Sequence, residues 1–246
     1  RAQPIVQTQI ESGSPVSQHY ELLLTLTETD GTLTSPVKFI ENAERYGYMT
    51  LVDRWVVKES FKWISHLVDN QKVVPNISIN LSGHSITDDA FMEYLLEQIS
   101  EFGVGTNQLC FEITETAAIQ NLSNAVQFIS TLKKLGCSFS LDDFGSGYSS
   151  FASLKHLNVD CLKIDKFFVD DMASDTKALS LIGSMIEMGQ NLGYKITAEG
   201  VETPEQYTLL KKLGCENAQG YLFSKPVSAN EVSDLLDDQK NNQKRA

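Results

Sequence analysis

Residues able to hold a metal or meet a phosphate recur at the ends of short apolar runs in this chain. HYELLLTL carries Glu21, NISINLS carries Asn80, LCFEITET carries Glu112, SFSLDDF carries Asp142 and Asp143, CLKIDKFF carries Lys163, and KITAEGVE carries Glu199. Carboxylates and a neutral amide oxygen are hard donors suited to a divalent cation. A lysine among several acids is a charge-balancing or catalytic group rather than an expensive lone cation. A glutamate inside an apolar strand is disfavoured by propensity and costly to bury unpaired.

Each residue also has a plainer reading. Asp142-Asp143 before FGSG could make a turn, each glutamate could be a satisfied structural carboxylate, and Asn80 could cap the turn that follows it. Repetition at strand ends is what favours a site, because the active residues of a β/α barrel gather at the carboxyl ends of its strands. Successive strand residues point to opposite faces. Asp142 and Asp143 can therefore share a site only where the strand is ending, and Gly145 and Gly147 follow at once.

The elements that must position these groups are marked in the sequence. Ser35-Pro36 places an N-cap before a helix-opening proline, and Thr203-Pro204 does the same with Gln206 completing a capping box. Ser228 and Glu231 form a further box. Phe91, Leu95 and Ile99, and again Leu179, Ile182 and Ile186, recur at helical spacing. Strands alternating with such helices imply a parallel sheet covered on both sides. Counting PIVQTQI and ENAQGYLF there are eight strand candidates, enough for a (β/α)8 TIM-like barrel. Only the turn-rich ESGSPVSQ separates the first two, which fits a hairpin, so one strand near the N-terminus should run antiparallel. The barrel is expected over residues 1–236, with a loosely held tail over 237–246.

A chain of 246 residues suits one such barrel, and a net charge of −12 argues against a long nucleic acid as partner. No apolar run approaches the roughly 18 residues of a membrane span, and no leader resembling a signal peptide precedes the first strand. The start at Arg1 reads as a domain excised from something longer, cytoplasmic itself and without membrane contact, whose parent could carry an anchor. The four cysteines show no CxxC spacing and read as small apolar residues of a reducing compartment. The four histidines form no spaced pair for zinc.

The segments QPIV, ELL, INLS, FEITET, LDDFGSGYSSF, LKID, AEGVET and QGYLFSKP stand in the order found in bacterial EAL-domain phosphodiesterases, from Gln3 to Pro226. The chain resembles that family, which hydrolyses cyclic di-GMP to linear pGpG on a β/α barrel with one antiparallel strand. The resemblance implies two ions, Mg²⁺ or Mn²⁺. It places Glu21, Asn80, Glu112 and Asp142 on the first, and Asp142 and Asp143 on the second. Glu199 falls beside the attacking water or on the second ion. It puts Glu21, Lys163 and Glu199 in the catalytic set, and Gln3, Leu23, Asp142, Lys163, Glu202 and Gln219 at the substrate. Glu115 would steady the loop containing Gly145 and Gly147, which in the family couples to a dimer interface. A homodimer and an upstream sensor or GGDEF domain are implied partners.

Two positions depart from the pattern. Glu-Ala-Leu reads Glu21-Leu22-Leu23, and Thr25 stands where the family has a substrate-contacting Arg. The intact ligand set favours an enzyme. The rival is a binding module that takes the dinucleotide and signals without cleaving it.

Overall fold

The alternation of apolar runs and amphipathic helices closes into an eight-stranded barrel. The computed structural model describes residues 1–7, 19–146 and 154–243. Gly147 with the rest of its loop to residue 150, the ESGSPVSQ connection, and tail residues 244–246 lie outside the described residues. Strands β1 (Ala2–Gln7), β2 (His19–Leu22), β5 (Asn76–Leu81), β6 (Leu109–Thr114), β7 (Ser138–Phe144), β8 (Cys161–Ile164), β9 (Lys195–Ala198) and β10 (Asn217–Gln219) form the barrel. A separate hairpin, β3 (Leu26–Thr27) with β4 (Leu33–Thr34), follows β2. The long HYELLLTL run thus yields only four residues of barrel strand before it leaves the sheet.

Strand β1 runs antiparallel to both β10 and β2, and every other barrel pairing is parallel. Its direction has a consequence. The beginning of β1, not its end, lies at the rim where the parallel strands finish, so Gln3 becomes the register partner of Glu21.

Alternation along the strands sorts the side chains. Phe111 and Phe139 meet at 5.8 Å, and Phe139 packs edge-on against Phe128 of the helix over Leu122–Lys133. Ile77, Ile79, Leu162 and Ile196 are fully buried in the same core. The opposite parity is polar: Cys110 and Ser140 lie 3.2 Å apart, as do Cys161 and Thr197, and His19 bonds to Ser78 at 2.8 Å. Small polar groups in the lower barrel leave room for the charged layer above them.

The helices at Thr203 and Ser228 open as their caps predict, whereas the one at Ser35-Pro36 starts a residue later, with Pro36 itself at the N-cap. Thr203 and Gln206 form a complete capping box at the helix Pro204–Lys212, and Ser228 and Glu231 exchange the same pair of bonds. Ser35 accepts from Val37 N–H at 3.4 Å where the helix Val37–Arg45 begins. Phe91, Leu95, Ile182 and Ile186 are buried as spaced, with Ile99 and Leu179 packed at the edge of the core. The last helix spans Ala229–Gln243, so helical backbone continues past residue 236 into the segment read as a tail. No helix among the described residues is long and apolar enough to cross a membrane. Burial pushes the thiols of Cys137 and Cys161 up to about 11 and that of Cys215 to about 12, which suits unreactive packing residues.

Candidate active site

Asp142 and Asp143 meet at one site through a bulge, not through the end of the strand. Strand β7 continues to Phe144, and between Leu141 and Phe144 its register with β8 slips by one residue. Asp143 takes a left-handed conformation with φ 54°. An extra residue in a bulge re-aims the side chains beside it, so two neighbours that should oppose each other turn the same way. Oxygens of Asp142, Asp143 and Glu199 all lie within 4.8 Å of one another.

Lys163 ties the rest together. Its ammonium lies 2.5 Å from Glu112 Oε2, 2.6 Å from Glu199 Oε1, 3.2 Å from Glu21 Oε2 and 3.3 Å from Asp142 Oδ1. The residue is 1% exposed, so these partners replace its water. Asn80, the register partner of Glu112, donates from Nδ2 to Glu21 Oε1 at 2.7 Å. Gln219 donates from Nε2 to Glu21 Oε2 at 2.7 Å and to Gln3 Oε1 at 3.2 Å. Gln3 in turn donates to the carbonyl of Ser224 at 3.1 Å. Glu21, Asn80, Glu112, Asp142, Asp143, Lys163, Glu199, Gln219 and Gln3 are thus brought to one rim.

The other sequence candidates lie around it. Glu202 pairs with Lys166 at 2.5 Å, outside the group held by Lys163. Leu23 exchanges backbone bonds with Arg1. Leu23 and Thr25 line a mostly apolar groove of about 330 Å³ that also holds Trp55, Glu59 and Trp63. Asp165 was not singled out from the sequence, although it ends the LKID run two residues after Lys163. It caps the helix Lys166–Asp170 through Phe167 N–H at 2.6 Å, and its charge acts on Asp143.

Crowding of acids sets their protonation. Burial, with like charge from Glu21 and Asp142, raises Glu112 to about 8 against the pull of Lys163. Burial raises Glu199 well above the usual carboxylate range, and burial with Asp142 and Asp165 raises Asp143 to about 6. Glu21 is held low: burial opposes this, but Lys163 and the donors of Asn80 and Gln219 prevail. Lys163 is raised well above its ordinary value, its carboxylates outweighing the cost of burial.

These shifts have a sign. A carboxyl raised in the folded state keeps a proton that the unfolded chain has released, so stability falls as pH rises between 4.5 and about 8. Glu21, shifted down, acts only below this window, and Lys163, shifted up, only above 10.5. In EDTA the melting temperature at pH 8 should lie about 5 °C or more below that at pH 5.5, corresponding to roughly 2 kcal/mol at this size. Millimolar Mg²⁺ should flatten the slope by binding the native state, and Glu112→Gln should flatten it without metal. Calorimetry showing one slope in all three conditions would place its origin outside this cluster.

The donor set fits a divalent cation. Glu112 Oε1 and Asp142 Oδ1 are buried without a hydrogen-bond donor, Asp142 meeting Lys163 only as an ion pair. Buried, donor-poor oxygens beside an all-oxygen cluster are what such a cation satisfies.

Glu115 holds the next segment of backbone. It is 1% exposed, and its Oε2 accepts Gly145 N–H at 2.7 Å. Gly145 has φ 95°, and a Cβ there would stand 2.4 Å from Met185 Cε. The positive φ strains any other residue there, whether or not Met185 gives way. Glu115→Ala should therefore loosen the chain directly after Asp143 and lower activity at low Mn²⁺ by about tenfold, with partial recovery at high Mn²⁺. Full activity at low Mn²⁺ would show that Glu115 does not anchor this loop.

The EAL domain family profile matches residues 1–226. The chain is 39% identical over 210 residues to cyclic di-GMP phosphodiesterase PdeB of Shewanella oneidensis, covering 85% of this chain and 24% of PdeB. It is 34% identical over 197 residues to the oxygen sensor protein DosP of Escherichia coli, covering 80% of this chain and 25% of DosP. It thus spans about a quarter of the length of these relatives. The PaMucR phosphodiesterase in complex with c-di-GMP superposes with a TM-score of 0.86 at 29% identity, over 94% of this chain and 92% of that one. The FimX EAL domain from Pseudomonas aeruginosa bound to c-di-GMP gives 0.82 at 26%, over 92% and 88%. With profile, relatives and barrel in agreement, the chain belongs to the EAL-domain family.

Proposed function

We propose that this domain hydrolyses cyclic di-GMP to linear pGpG, using two divalent ions, Mg²⁺ or Mn²⁺. One observation carries the reading: four carboxylates and Lys163 converge at a barrel rim, with buried oxygens among them that accept no hydrogen bond. When bound, such ions lower the pKa of water and stabilise charge on the phosphorane of an in-line displacement. Glu21, Asn80, Glu112 and Asp142 would hold one ion, and Asp142 and Asp143 the other.

The chain's own groups divide the remaining work by depth. Lys163 and Glu112 side chains are 1% exposed or less, whereas Asp142 and Glu199 reach 15% and 20%. Glu199, at 20% the most exposed of the four acids around Lys163, would take the proton of the attacking water once its own carboxyl is ionised. Lys163 presents its ammonium to a phosphate oxygen while keeping the acids in reach of one another. Gln219, Gln3, Glu202 and Leu23 would orient the dinucleotide. We read the domain as a cytoplasmic homodimer within a longer parent that carries a sensor or GGDEF domain. Incubation with cyclic di-GMP and Mg²⁺ or Mn²⁺ should yield pGpG. Tight binding without product under both metals would favour the receptor reading, to which the replacement at Thr25 is relevant.

Thr25→Arg should tighten cyclic di-GMP binding by about tenfold or somewhat more, the worth of one charge-assisted contact. Calorimetry is the measurement. An unchanged affinity would mean that another residue already fills that role or that the local backbone directs position 25 elsewhere, into the groove it shares with Glu59.

A further inference from the structure

The helix Met49–Asp69 buries Met49, Asp53, Val57, Phe61 and Ile64 along one face. Asp53 is the acid in that apolar stripe, and it is 3% exposed. A carboxylate in such a stripe is costly unless donors surround it. Three donors do, and all three meet the same oxygen. Asp53 Oδ2 accepts Ser82 N–H at 2.9 Å, Ser82 Oγ–H at 2.6 Å and Ser85 Oγ–H at 2.6 Å.

The place of those serines matters more than their number. Strand β5 ends at Leu81, so Ser82 is the first residue beyond it and lies two residues after Asn80. Up to Leu81 the chain is held by its register with β6, Asn80 opposite Glu112 and Leu81 opposite Ile113. Beyond it, the bonds to Asp53 hold the backbone as it turns into the short helix Ser85–Thr87. The amide of Asn80 is thus aimed at Glu21 from a strand gripped on both sides, by the sheet before and by the helix carboxylate after.

We propose that Asp53 is a positioning residue for Asn80, acting from outside the barrel to set the affinity of the rim for its divalent cation. This rests on the reading of Asn80 as a ligand. Partners that orient a ligand in this way typically change metal affinity 10- to 100-fold when removed.

The test is Mn²⁺ binding, followed by the loss of the free-ion paramagnetic resonance signal, alongside the Mn²⁺ dependence of pGpG formation. Asp53→Ala should weaken Mn²⁺ binding by about tenfold or more. Asp53→Asn, whose carbonyl oxygen can take the place of Oδ2, should restore most of it. Ser85→Ala removes one of the three bonds without emptying the helix face and should weaken binding by about threefold; it serves if Asp53→Ala fails to fold. Asn80→Ala should weaken binding at least as much, and Asp53→Ala added to it should cost less than a further twofold. Weakened binding in Asn80→Ala with unchanged binding in the folded Asp53 and Ser85 variants would overturn the inference and leave Asn80 a ligand. Unchanged binding in Asn80→Ala would overturn both. A lowered melting temperature in Asp53→Ala with no change in Mn²⁺ affinity would make the residue structural only.

Discussion

Glu21→Ala is expected to lower cyclic di-GMP turnover by about a thousandfold, the upper range for removing one preorganised stabilising group, while leaving the melting temperature within about 3 °C. The activity loss follows from its place. Glu21 is 5% exposed and is the common acceptor for Asn80, Gln219 and Lys163, so its removal dissolves the arrangement on that side of the rim. The small effect on stability follows from two opposed terms. The buried amide of Gln219 and the half-buried amide of Asn80 lose an acceptor, which costs roughly 1–3 kcal/mol each if no water replaces it. Against this, Glu112 and Glu199 are relieved of a neighbouring negative charge that pushes both of them up. Product analysis by chromatography with circular dichroism decides the matter. Near-normal turnover in a folded variant would remove Glu21 from the site and with it the proposed chemistry.

Lys163→Met should have the largest effect on the fold. Methionine keeps much of the volume but leaves Glu21, Glu112, Asp142 and Glu199 facing one another without their shared cation. Breaking a buried ion pair by removing one partner costs about 3–5 kcal/mol, or about 6–20 °C at this chain length. The loss should be greatest at pH 8 in EDTA. It should shrink at pH 5.5, where raised carboxyls such as Glu112 take up protons instead, and shrink again when Mn²⁺ supplies the missing charge. Turnover should fall as well, because the four acids proposed to do the chemistry share this one ammonium. A variant as stable as the parent at pH 8 would show that Lys163 is not what reconciles these acids.

The order of effects separates roles that look alike in a list of acids. Glu21 is expected to matter for chemistry and little for folding, whereas Lys163 should matter for both. Glu115 and Asp53 act at one remove, through Gly145 and through Ser82, so their variants should respond to added metal.

Much of this was legible in the residue order. Polar groups at the ends of apolar strands, eight strand candidates and a connection suited to a hairpin point to a barrel with its chemistry at one rim. Polar residues set in apolar runs mark Glu112 and Lys163 as candidates, and capping residues locate helix starts, because both depend only on neighbours a few positions away. Local rules could not place Asp142 beside Asp143, since alternation sets adjacent residues on opposite faces. Only the register slip against β8 and the left-handed Asp143 bring them together. Gln3 reaches Glu21 because β1 runs backwards into the rim, which depends on closure between β2 and β10. Asp53 carries no mark in the sequence, and only the fold sets it against Ser82. Sequence spacing determined which side chains could do chemistry and which way most of them point. Which acids share one lysine, and which carboxylate grips which turn, was decided by barrel closure and helix packing, because those contacts join residues as far apart as 142 positions.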